Sequence, residues 1–105
     1  MVSLLEDKKA EHILLLDIHE IVSFTDYFII CNGTTDRMLH ALASTLRDFA
    51  KAEYGTSIQI EGEPHDGWLI VDMGDIIVHF FSPDQRDYYD LEGLWEKGKR
   101  LLSLQ

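Results

Sequence analysis

Apolar and polar positions change rhythm several times along this chain, and each change marks an element. Residues 3–11 predict a short polar helix. HILLLDI (12–18) is an apolar run suited to a buried strand, and DYFIICNG (26–33) is a second one that ends at Gly33. Across residues 34–55, Leu39, Leu42, Leu46 and Phe49 recur at helical spacing, with Arg47, Asp48 and Lys51 elsewhere on the surface. Thr34 or Thr35 can cap this helix, Asp36 suits its positive N-terminal end, and Gly55 can close it. TSIQIEG (56–62) alternates as a short strand.

GWLIVDMGDIIVHFF (67–81) reads as two strands and a tight turn, yet apolar side chains fall on both faces. With Met73-Gly74 as a two-residue loop, Asp72 pairs with Asp75, Ile70 with Ile77 and Trp68 with His79. One face is then Leu69, Val71, Ile76, Val78 and Phe80, entirely apolar. The other is Trp68, Ile70, Asp72, Asp75, Ile77, His79 and Phe81, and a slip of one residue would scramble the partition. One feature opposes this loop: a type I′ turn puts Met73 at positive φ, uncommon for such a side chain. SPDQ (82–85) matches a capping box with Pro83 at the first helical position. Asp90 then caps a last helix carrying Leu91, Leu94, Trp95, Leu101 and Leu102 as one stripe. The expectation is one α/β domain over residues 1–105, with a mixed sheet of roughly five strands and flanking helices.

Composition narrows the function. The net charge is −10, and residues 61–96 hold ten acids against a single base, Arg86. Phosphate neutralisation supplies most nonspecific affinity for nucleic acid, so such a surface repels DNA and RNA and suits a basic partner. A lone cysteine, Cys31, between apolar neighbours reads as a buried, inert thiol. No segment resembles a signal peptide or a membrane span, so a cytoplasmic protein is expected. The five histidines show no metal-ligand spacing, and Asp17-x-His19 is too short a signal to count as a site. Asp72 and Asp75 could form a carboxylate pair for a metal, but two solvated aspartates beside a turn explain them more simply. No nucleophile–base pair is visible, and no cofactor is expected.

DYFIICNGTTDRML, EGEPHDGWLIVDMGDIIVHFF and RDYYDLEGLW resemble, in that order, the Iojap family, the ribosomal silencing factors. The similarity runs from about Asp7 to Trp95, and the chain continues ten residues beyond it. The resemblance implies a nucleotidyltransferase-like fold without an enzymatic role. It also implies binding to ribosomal protein number fourteen of the large subunit, which obstructs docking of the small subunit and lowers translation. Family binding residues carry over to Trp68 and Tyr89, and the hairpin face extends the candidate contact set to Asp72, Asp75, His79 and Phe81. An acidic rim around aromatic anchors suits a basic ribosomal protein.

Two other readings remain open at this stage. One is a metal-dependent nucleotidyltransferase using Asp72 and Asp75, with Gly33-Thr34-Thr35 as a loose echo of that fold's phosphate turn. Its acids, however, flank a turn instead of alternating along one strand. The other is a self-association module, a homodimer formed through the outer hairpin face. That face could equally lie under a helix, since mixed sheets are often covered on both sides.

Overall fold

The computed structural model describes residues 2–55, 57–95 and 97–104. Thr56, at the start of the expected strand 56–62, and Glu96, in the acidic run and the expected last helix, lie outside the described residues.

The two apolar runs form strands β1 (Glu11–Asp17) and β2 (Tyr27–Asn32), after a short helix α1 (Val2–Asp7). Helix α2 (Asp36–Tyr54) starts where Thr35 accepts the Met38 N–H at 3.0 Å and stops at Gly55 in a left-handed conformation, φ 67°. Strand β3 keeps only Ile60–Glu61 of the expected 56–62, and β4 (Trp68–Asp72) and β5 (Ile76–Phe81) form the hairpin. Helix α3 (Pro83–Tyr89) begins at Ser82, whose hydroxyl accepts the Gln85 N–H. Asp90 ends α3 and caps α4 (Leu91–Leu94) by accepting the Gly93 N–H at 3.2 Å.

Residues 99–104 correct the expectation of a long final helix: they form strand β6 (Lys99–Leu104), antiparallel to β1. The helical stripe therefore breaks between Trp95 and Leu101. A turn replaces it, in which the Gly98 N–H donates to the Trp95 carbonyl at 2.8 Å. A side chain at Gly98 would meet that carbonyl oxygen at 3.0 Å and Ile18 at 2.9 Å, so the close turn needs glycine. What β6 gains is the free edge of β1, whose backbone groups take strand partners there.

The sheet thus has six strands, in the order β3-β4-β5-β2-β1-β6. Among the described residues only β2 and β5 pair in parallel, joined by a crossover that contains α2, so the sheet is mixed as expected.

The hairpin register also differs from the expected one. Trp68 pairs with Phe81, Ile70 with His79 and Asp72 with Ile77, leaving Met73–Asp75 as the connection between the strands. Gly74, not Met73, takes the positive φ (85°), which removes the strain of a two-residue loop. The slip is two residues, one full side-chain period, so the residues within the two strands keep their expected faces, while Asp75 leaves the outer face for the turn.

Both faces are covered. Leu69, Val71, Val78 and Phe80 join Ile13, Ile29 and Cys31 under α1 and α2. On the other side Phe81, Phe28, Ile30, Leu14 and Leu16 form a second core, with Trp68, Ile77, Leu91 and Trp95 packed against it.

Candidate docking groove

The second core is incompletely roofed. Leu91 of α4 and Trp95 pack onto this core, Tyr89 of α3 lies against Trp68 and Phe81, and a groove of about 340 Å³ remains over the hairpin. Strand alternation sends Trp68, Ile70, Ile77 and His79 into it, while Phe24, Phe28, Leu91, Leu94 and Trp95 close its other side. Glu61 and Asp72 stand at its margin, so the apolar floor has an acidic edge.

Aromatic contacts hold the floor rigid. Trp68 stacks on Phe81 with ring centroids 4.9 Å apart, and Tyr89 lies 4.6 Å from Trp68. The Trp68 indole N–H donates to His79 Nδ1 at 3.2 Å, and Phe28 meets His79 edge-on at 4.8 Å. Burial pushes the His79 imidazole well below its ordinary range, to about 4.

A part-buried ion pair fastens the roof to the sheet. Arg86 Nε and Nη2 donate to the two Glu92 carboxylate oxygens at 2.8 and 3.2 Å, and Nη1 donates to the His12 carbonyl and Asn32 Oδ1 at 2.6 and 2.9 Å. Arg86 is therefore spent on structure: it ties α3 and α4 to the ends of β1 and β2. It also satisfies Asn32, a polar side chain only 5 % exposed. A separate cavity of about 410 Å³ beside this cluster is lined by His12, Asn32, Arg86 and Glu92, whose polar groups already pair with one another.

The expected contact residues divide into three groups. Trp68, Asp72 and His79 line the groove, and Tyr89 packs against Trp68 at its side. His79 and Phe81, expected on an open face, are 6 % and 0 % exposed, because Phe28 and Trp68 cover them; they build the floor from beneath. Asp75 sits apart in the turn, where its carbonyl accepts the Asp26 and Tyr27 N–H groups and so docks the start of β2. Asp72 Oδ1 accepts the Gly74 N–H at 2.9 Å, so this carboxylate supports the turn.

Two groove residues escaped sequence reasoning. Phe24 and Leu94 are 60 % and 69 % exposed at the groove, although the helical stripe assigned Leu94 to the core. α4 is a single turn, too short to bury both Leu91 and Leu94, and no pattern in the sequence announced that. Cys31 is fully buried, with its thiol pushed up to about 12 by desolvation, and is inert as expected. The Asp17–His19 pair lies on the exposed surface, and hydrogen bonding to Asp17 holds the His19 ring above its ordinary value.

Comparison with known proteins adds a family. Residues 1–105 match the family described as ribosomal silencing factor during starvation. The chain is 44% identical over 91 residues to the ribosomal silencing factor of Bacillus subtilis, covering 86% of this chain and 76% of that protein. It is 37% identical over 98 residues to a mouse protein named mitochondrial assembly of ribosomal large subunit protein 1, covering 90% of this chain and 43% of that protein. Among solved structures, a Chromobacterium violaceum protein superposes with a TM-score of 0.83 at 38% identity, over 90% of this chain and 79% of the other.

Proposed function

The chain belongs to the ribosomal silencing factor family, and from that membership we propose that it docks on the large ribosomal subunit and blocks joining of the small one. The contact is the groove and its aromatic margin, and the partner is a basic protein of the large subunit, ribosomal protein number fourteen. The carrying observation is an exposed apolar groove, edged by Glu61 and Asp72 and buttressed by the Trp68–Tyr89 contact, on a chain of net charge −10. Exposed apolar surface of this kind marks interaction sites, and its acidic edge favours a cationic partner. The name of the mouse relative also points to the large subunit.

Repression needs no catalytic group. A protein seated on the face of one subunit excludes the other by volume alone, and Asp72 has a sufficient role in its turn. Action in the cytoplasm fits this reading, and no described helix is long and apolar enough to cross a membrane.

The test is a joining assay. Purified large subunits are preincubated with the protein, small subunits are added, and joined ribosomes are counted by sedimentation. The proposal expects joined ribosomes to fall with dose, and less so for Tyr89→Ala. Unchanged joining at saturating protein would overturn it.

A further inference from the structure

The cavity of about 410 Å³ between α3 and strands β1, β2 and β6 shares no lining residue with the groove and has its own chemistry. Its size is ordinary for a small-molecule site. Strand alternation sends Leu14 and Asn32 into it, on the same sheet face as Leu16 and Ile30. The pairs around Arg86 leave several groups of this cavity unused. Asn32 is 5 % exposed, and its Oδ1 accepts from Arg86 Nη1 at 2.9 Å. That bond fixes the amide, because the reverse orientation would set Nδ2 against a guanidinium that only donates. Nδ2 itself donates to no described group. It is not sealed: among the described residues, the one closed side-chain polar atom without a partner is His79 Nε2. What remains of the exposure of Asn32 opens on the cavity that it lines. Asp87 and Arg100 stand at the exposed margin, and neither forms an ion pair among the described residues.

We propose that this cavity binds a small zwitterion, an aliphatic α-amino acid. Its carboxylate takes the Asn32 Nδ2–H groups and the Arg100 guanidinium, and its ammonium meets the Asp87 carboxylate. The site is separate from the docking groove and does not depend on it.

Charge selects this class. The lining holds two arginines and two carboxylates, so a ligand without net charge enters without adding to the −10 of the chain. A phosphate dianion would meet a single cation, Arg100, since Arg86 is already paired with Glu92. A bare metal ion or amine would bring positive charge against Asn32 Nδ2, which can only donate. A carboxylate, by contrast, accepts from both an amide and a planar guanidinium fork. Leu14, Pro83 and Leu104 line the rest of the cavity and suit an aliphatic side chain.

Asn32 is the single asparagine of the chain, so its side-chain amide reports on the site directly. Protein isotopically labelled in asparagine alone is titrated with free L-leucine and followed by nuclear magnetic resonance. The side-chain amide signal should shift saturably. N-acetyl-L-leucine lacks the ammonium and L-leucinamide lacks the carboxylate, and each should bind roughly tenfold more weakly or worse. Arg100→Gln and Asp87→Asn each remove one charge from an exposed position. Both should weaken leucine binding by roughly tenfold or more while melting as wild type does. Inorganic phosphate tests for a plain anion site. The absence of a saturable shift with leucine overturns the proposal. Equal binding of either derivative, tighter binding of phosphate, or undiminished leucine binding by either variant overturns it too. If a variant melts early, the leucine series on wild type decides alone.

Discussion

His79 couples the floor of the groove to the acidity of the medium. In the unfolded chain its imidazole takes a proton near pH 6.5, whereas burial delays that step in the folded protein to about 4. Between those values the unfolded state binds more protons, so stability falls as pH drops. The contribution is fully present above pH 6.5, and no further loss comes from this group below 4. A displacement of this size corresponds to about 3 kcal/mol. Urea unfolding of wild type and His79→Asn at several pH values from 7 to 4 separates this effect from that of the carboxylates. The two curves should diverge by roughly that amount, with wild type losing more stability on acidification. Parallel curves would mean that the ring is not buried neutral.

At the scale of elements, the roof depends on Arg86. α3 and α4 together span few residues and have few apolar anchors of their own, so the fork from Arg86 to Glu92, His12 and Asn32 supplies the attachment. Removing one partner of a fully buried pair costs roughly 3–5 kcal/mol, and this pair is part-buried with Glu92 a quarter exposed, which puts it at or below the low end. Arg86→Ala should therefore lower stability by about 2–3 kcal/mol and red-shift tryptophan emission as Trp95 and Trp68 become wetter. A loss within about 0.5 kcal/mol would show that α3 and α4 hold without it. The role was hidden in the sequence, where Arg86 appears only as the one base in an acidic run.

Local signals were legible where the residues concerned are neighbours. Thr35, Gly55, Ser82 and Asp90 all cap helices, because each needs only a backbone group a few positions away. The two faces of the hairpin were legible for the same reason: alternation survives a slip of two residues, even though the pairing of Trp68 with His79 did not. Strand β6 was not legible. Leu101 and Leu102 fit a helical stripe, and what made them a strand is the distant edge of β1. The groove was half legible. Trp68, Asp72 and Tyr89 lie in or beside it, but the burial of His79 and Phe81 and the exposure of Phe24 and Leu94 follow from where a one-turn helix happens to end.

On the scale of the whole molecule, charge and shape point the same way. Glu61 and Asp72 of the acidic run line the groove, so on the proposed docking a basic surface would be steered there, while apolar burial would hold the complex once formed. Steering is screened over a Debye length of about 8–10 Å near physiological salt, whereas burial is not. The most direct measurement of the central claim is co-sedimentation of the protein with isolated large and small ribosomal subunits at low and moderate salt. The account predicts recovery with large subunits only, weakened but not abolished as salt rises. Equal recovery with both subunits, or none with the large one, would contradict it.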